Sequence, residues 1–124
     1  MARLPVEGRE AAVRRAADVA RPDVPTCLLR DRVTEVARRV REESWPLAVV
    51  VNEERVVLGR LRPSALAERP EAVAEELLVP GPRTIRGTRV ASEMAAWLDE
   101  RKIPGVLVTS AEGVLVGYVR REDV

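Results

Sequence analysis

The sequence predicts an α/β (α+β) fold: two βαββα repeats packed with pseudo-twofold symmetry, each a three-stranded sheet flanked by helices. Three observations carry this prediction. First, the chain matches itself at a shift of 58 residues, with Gly59 over Gly117, Pro46 over Pro104 and Thr26 over Thr84; such self-similarity is the mark of a duplicated structural unit. Second, WPLAVVVNEERVVLGRLRPSAL lies over IPGVLVTSAEGVLVGYVRREDV without a gap, and Val49/Leu107, Val50/Val108, Val56/Val114 and Leu61/Val119 are apolar in both copies. Near-continuous Val/Leu runs of this kind suit strands covered on both faces. Third, a polar tetrapeptide, Asn52–Arg55 or Ser110–Gly113, separates the paired runs at the same place in each half, as a hairpin turn requires.

The elements follow in order. Residues 1–22 read as an N-terminal helix leading into the first repeat, with Val13, Ala16, Ala17 and Ala20 on one face. The first repeat, 23–68, opens with a short strand around Thr26–Leu29. A helix follows, with Val33, Val36, Ala37 and Val40 at the i, i+3, i+4, i+7 spacing of one apolar face and Asp31 as its N-cap. The hairpin strands are Leu47–Val51 and Val56–Leu61. The next stretch, SALAERPEAVAEELL, is helical in two pieces interrupted at Pro70, and its second piece carries Val73, Leu77 and Leu78. The linker helix at 69–82 ends in Pro80-Gly81-Pro82, which opens the second repeat, 83–124. That repeat has a strand at Thr84–Arg86 and a helix carrying Val90, Met94, Trp97 and Leu98, a helix that needs a one-residue gap to match the first. Strands at Val106–Thr109 and Val114–Val119 complete it.

Composition bounds the function. At 124 residues the chain fits one domain with a real core. It is 46% hydrophobic and 33% charged, and its aromatics are Trp45, Trp97 and Tyr118 alone, so aliphatic side chains build the core. Twenty arginines and one lysine against 20 acids leave a net charge of +1, which gives no electrostatic footprint for nucleic acid or an anionic membrane. No histidine is present and Cys27 is the single cysteine, which excludes a Cys/His zinc site, an intramolecular disulfide and a histidine-based triad. Cys27 reads as a small core residue. No phosphate-binding GxxxxGK[ST] loop or GxGxxG turn occurs. The expectation is a non-enzyme, with no catalytic residues and no metal. The N-terminus lacks a signal-peptide apolar run, and LAVVV is far too short to span a bilayer, so the expected location is cytoplasmic.

Tandem units with an early Thr, a helix, a Pro before an aliphatic strand, a polar turn and an aliphatic strand with a late Gly resemble the cystathionine-beta-synthase (CBS) domain. Two in succession resemble a CBS pair, or Bateman module, over about residues 9 to 124. The resemblance implies two packed three-stranded sheets and a regulatory module that binds AMP, ADP, ATP or S-adenosylmethionine in clefts between repeats and signals to a protein partner. It implies no cofactor, and it implies a homodimer. The family motif of Gly, two positions, Thr or Ser, two positions and Asp falls on Gly59–Ala65 and on Gly117–Asp123. The implied ligand-binding residues are Thr84, Ile85, Pro104, Val106, Gly117, Tyr118, Arg120 and Asp123. A degenerate second site comprises Thr26, Pro46, Ala48, Gly59 and Arg62.

The chemistry is consistent. A carboxylate can accept hydrogen bonds from both ribose hydroxyls, a glycine admits close approach to the backbone, an apolar slot takes the base and arginine suits phosphate. The departures matter equally. Ala65 stands where the first motif has Asp, so only Asp123 remains as the expected ribose acceptor. Arg62 and Arg120 stand where a hydroxyl residue belongs, and Arg120 either meets a phosphate or fills the pocket. The chain stops one residue after Asp123, where the family continues into a helix. The face that helix covers needs another segment or subunit. These departures motivate an alternative reading, a ligand-free CBS-pair module for dimerisation or scaffolding.

Overall fold

A hairpin contact between the two repeats carries the symmetry of the molecule. Val56 and Val114, equivalent positions in the two copies, face each other in an antiparallel bridge. The Val57 N–H donates to the Gly113 carbonyl (3.0 Å), and the Leu115 N–H donates to the Arg55 carbonyl (2.8 Å). Each bond maps onto the other when the repeats are exchanged, so a local twofold axis passes between the hairpins.

The structure, a computed structural model, describes residues 13–124. Most of the expected N-terminal helix lies outside the described residues; within them one turn forms, α1 (Ala16–Val19). Then come β1 (Thr26–Cys27), α2 (Thr34–Glu42), β2 (Ala48–Val51) and β3 (Val57–Leu61). The connection contains α3 (Pro63–Glu68), α4 (Ala74–Leu77) and β4 (Val79–Pro80). The second repeat is β5 (Thr84–Arg86), α5 (Ala91–Arg101), β6 (Gly105–Thr109) and β7 (Leu115–Arg120), closed by a 3-10 turn over Arg121–Asp123.

Local chemistry explains several of these elements. Pro63 sits at the start of α3, where its missing N–H costs nothing. The Asn52 side chain accepts from the N–H groups of Glu54 and Val56 (3.0 and 2.9 Å). Ser110 repeats this with Glu112 and Val114 (3.3 and 3.1 Å), so the two polar turns are held by the same device. α5 stops at Lys102, which takes the left-handed conformation and turns its N–H back to the carbonyls of Asp99 and Leu98.

The structure corrects three sequence expectations. The first sheet has four strands, β1-β2-β3-β4, while the second has three, β5-β6-β7. Val79–Pro80 does not merely end a helix; it pairs antiparallel with Gly59–Arg60, at a sheet edge where proline is tolerated. Asp31 does not cap α2, whose N-cap is Val33; the Asp31 carboxylate instead accepts the Leu28 N–H at 2.9 Å. The helices need no gap: α2 buries Val33 just before it, then Val36 and Val40, and α5 buries Ala91, Met94 and Leu98 at the same shift of 58. Trp97 is only half-buried beside this face, because the strands flanking α5 fix which stripe points inward.

α1 packs on the second sheet as α4 packs on the first, and a 3-10 turn over Arg121–Asp123 stands at the positions equivalent to the start of α3. Ala16 and Val19 pack with Met94, Leu98, Val108 and Val119 in one core cluster. The Ala91 N–H donates to Arg14 and the Ala16 N–H to Arg89 (2.8 and 2.7 Å). Their equivalents in the first repeat are Val33 to Ala72 and Ala74 to Asp31 (both 2.9 Å), so residues 14–21 stand to the second repeat as 72–79 stand to the first. The other core cluster is built on α2, β2 and β3 and includes Leu107, Leu115 and Tyr118 from the second repeat. No helix of the described residues is long and apolar enough to cross a membrane.

Candidate functional site

Where the two repeats meet near the twofold axis, a cleft of about 440 Å³ opens. Its floor is apolar: Pro46 and Leu47 come from the entry to β2, and Ile103, Pro104, Gly105 and Val106 come from the entry to β6. Its wall is the segment Val79–Arg83, which bends at Gly81 (φ 64°) between Pro80 and Pro82. Among the described lining residues the charged groups are Arg60 and Arg83, and none is acidic. Arg60 lies on β3, between Val49 and Val79 in the sheet. Arg83 is aimed by its stacking over the Trp97 ring, 5.7 Å from the centroid, a ring that Arg101 also approaches at 5.2 Å. Gly105 is required here, because a side chain at that position would collide with the Tyr118 hydroxyl.

Of the candidate ligand-binding residues in the second repeat, Pro104, Val106 and Tyr118 line this cleft, as does Pro46 from the degenerate set. Tyr118 is buried and its phenol is pushed up to about 12, mainly by that burial, so it stays neutral at ordinary pH. The other candidates sit elsewhere. Thr84 is exposed on β5 opposite Leu107, and Ile85 packs on the second core cluster. Thr26 pairs with Val49, Ala48 is fully buried opposite Leu61, and Arg62 is exposed at the N-cap of α3.

The two motif glycines have a structural explanation. A Cβ on Gly117 would lie 2.5 Å from the Arg21 carbonyl oxygen, and one on Gly59 would lie 2.7 Å from the Val79 carbonyl oxygen. Arg21 and Val79 are equivalent positions, and each runs alongside its strand in an isolated or short antiparallel pairing, Arg21 with Tyr118 and Val79 with Arg60. The close approach that each glycine permits is therefore made by the protein's own chain.

Asp123, the expected ribose acceptor, is held by Arg21 in a forked pair: Nε to Oδ2 at 2.8 Å and an NH2 nitrogen to Oδ1 at 3.2 Å. The hydrogen bond and charge of Arg21 keep the Asp123 carboxyl below its ordinary value. Arg120 turns onto the indole of Trp45, 4.7 Å from the ring centroid, and its Nε is buried without a hydrogen-bond partner among the described residues. Trp45 is itself 5% exposed and meets Tyr118 edge to face at 6.5 Å. No cluster of three or more Cys, Asp or Glu side chains among the described residues is placed to hold a metal ion.

Sequence reasoning missed Arg60, Arg83, Ile103 and the wall at 79–82. The one available signal was Pro80-Gly81-Pro82 directly before Arg83, a proline-flanked turn that carries a cation.

No family model matches the sequence. No curated protein matches it. Among solved structures, the chain is similar to the cytosolic domain of the Mg2+ channel MgtE in complex with ATP (22% identity, TM-score 0.73, 89% of this chain and 47% of that one). It is also similar to CBSX2 in complex with AMP (17%, 0.70, 89% and 92%). A third is the CBS domain pair of protein MJ0100 with 5'-methylthioadenosine and S-adenosylmethionine (18%, 0.69, 90% and 92%). The chain spans about half the length of the MgtE domain and nearly all of the other two. The fold is that of a tandem CBS pair.

Proposed function

We propose that this chain is a CBS-pair regulatory module that takes an adenosine-containing ligand in its central cleft and signals occupancy to a partner. The cleft carries the reading: an open slot at the repeat junction, with Pro46, Leu47, Ile103, Pro104 and Val106 on its floor, two arginines and no acid. Its size falls within the roughly 300–1,000 Å³ of small-molecule pockets. The flat base fits between Pro46, Ile103 and Pro104, and Arg60 with Arg83 supplies the charge for a phosphate chain. ATP, AMP and S-adenosylmethionine are named with the three similar structures, which supports an adenosine ligand. Between these, the paired cations favour a phosphorylated adenosine over the cationic sulfonium. The same proposal includes a regulatory rather than catalytic role, a homodimer and a cytoplasmic setting.

Regulation demands that the ligand bind one state of the module better than another. The first test is a thermal-shift titration with ATP, AMP and S-adenosylmethionine. At 100 times its dissociation constant a true ligand stabilises the fold by about 2.7 kcal/mol, and the order expected is ATP or AMP above S-adenosylmethionine. No shift with any of the three, at millimolar ligand, would point to the ligand-free scaffold instead.

A further inference from the structure

The local twofold axis relates the wall of the open cleft to a second, equivalent place in the fold, and the sequence differs at the positions that shape the two. Shifting the open cleft by 58 residues maps its wall, Val79–Arg83, onto Arg21–Pro25, and maps Ile103 onto Trp45. The correspondence holds in space. The Ile103 N–H donates to Leu98 as the Trp45 N–H donates to Val40, both at 3.1 Å, and Arg21 meets Tyr118 as Val79 meets Arg60.

Where these positions differ in charge or bulk, the second place is worse for an anion. Trp45 replaces Ile103 and fills the slot, with Tyr118 against its edge and the Arg120 guanidinium on its face. Arg83 is replaced by Pro25, which removes a cation, and Gly81 by Asp23, which adds an acid. Arg21 stands in for Val79, yet its charge is spent on Asp123. The acid that the second motif retained thus borders the closed place. The open cleft lies beside the first motif, where Ala65 replaced the acid.

We infer that the module binds one phosphate-bearing ligand per chain, at the Arg60/Arg83 cleft, and that Trp45, Arg120 and the Arg21–Asp123 pair close the equivalent place as built-in occupants. This rests on the adenosine-ligand reading of the preceding section and breaks its apparent symmetry.

Isothermal titration of the full chain with ATP tests the inference. The expected result is one site per chain. Two sites per chain would overturn single occupancy while leaving the ligand reading intact; no heat at tens of micromolar protein would overturn that reading itself. Two exposed arginines then locate the site. Arg83→Ala weakens ATP binding by at least about tenfold, the scale of a lost hydrogen bond to a charged group, while Arg21→Ala leaves affinity within about twofold because its charge is already paired. The reverse pattern would place the ligand beside Asp123 and overturn the inference. Circular dichroism of both variants confirms that each is folded.

Discussion

Asp123 shows how a residue's role depends on what reaches it. In the chain it is a terminal acid in a repeat motif; in the fold it meets an arginine 102 positions away. Arg21 lowers its pKa by hydrogen bond and charge, so the sign of the pH dependence follows. A carboxyl whose folded pKa is depressed adds stability above its unfolded value of 3.8, and that contribution is lost as pH falls through the folded value. Both side chains are partly solvated, 44% and 24% exposed, so the effect is small. Urea unfolding followed from about pH 6 down to about pH 3 should show a shallower acid limb in Arg21→Ala than in the parent chain. Identical limbs would mean that the pair is not formed in solution. Cys27, by contrast, is what its sequence context suggests: a buried thiol raised to about 11, mainly by desolvation, and inert at ordinary pH.

At the scale of elements, the strand glycines connect sequence to packing. Gly59 and Gly117 sit at equivalent points on β3 and β7, and each leaves room for the carbonyl of a segment that runs alongside the strand. These segments carry α4 and α1 onto their sheets, so each glycine is a condition for covering one core. Gly117→Ala places a methyl 2.5 Å from the Arg21 oxygen, and backbone must move. Overpacking of this kind costs typically about 1–3 kcal/mol, read as a lower urea midpoint at an unchanged slope. A neutral Gly117→Ala would show that the 20–21 segment does not run alongside β7 as described. The helices teach a related point. Spacing alone predicts Val33, Val36 and Val40 as one face, and the same spacing argument places Trp97 with Val90, Met94 and Leu98. The sheet beneath α5 accepts Ala91, Met94 and Leu98, and leaves Trp97 at the rim to hold Arg83.

At the scale of the whole molecule, the repeats share their interior. The first core cluster takes Leu107, Leu115 and Tyr118 from the second repeat, and two backbone hydrogen bonds join the hairpins across the axis. Separating the repeats would expose these side chains, so the chain should unfold as one unit. The tryptophans provide reporters: Trp45 belongs to the first repeat and Trp97 to the second. Single-tryptophan variants Trp45→Phe and Trp97→Phe, compared with calorimetry on the parent chain, should each follow the single transition seen by circular dichroism. Two separated transitions within one variant, or a calorimetric enthalpy well above the van't Hoff value, would show that the repeats melt independently.

The sequence by itself determined the duplicated βαββα order, the hairpin turns, the break at Pro70 and the positions of the equivalent residues. These depend on local periodicity, turn chemistry and a constant shift of 58, all of which are written along the chain. Only the tertiary structure decided which half of the duplication is open. That question turns on contacts between residues far apart in sequence: Arg21 with Asp123, Arg120 with Trp45, and Arg83 with Trp97. A motif records which residue types are present, whereas a cleft exists only where packing leaves volume unfilled and charge unpaired. Here the copy that kept its acid spent it on an arginine, and the copy that lost its acid kept the space.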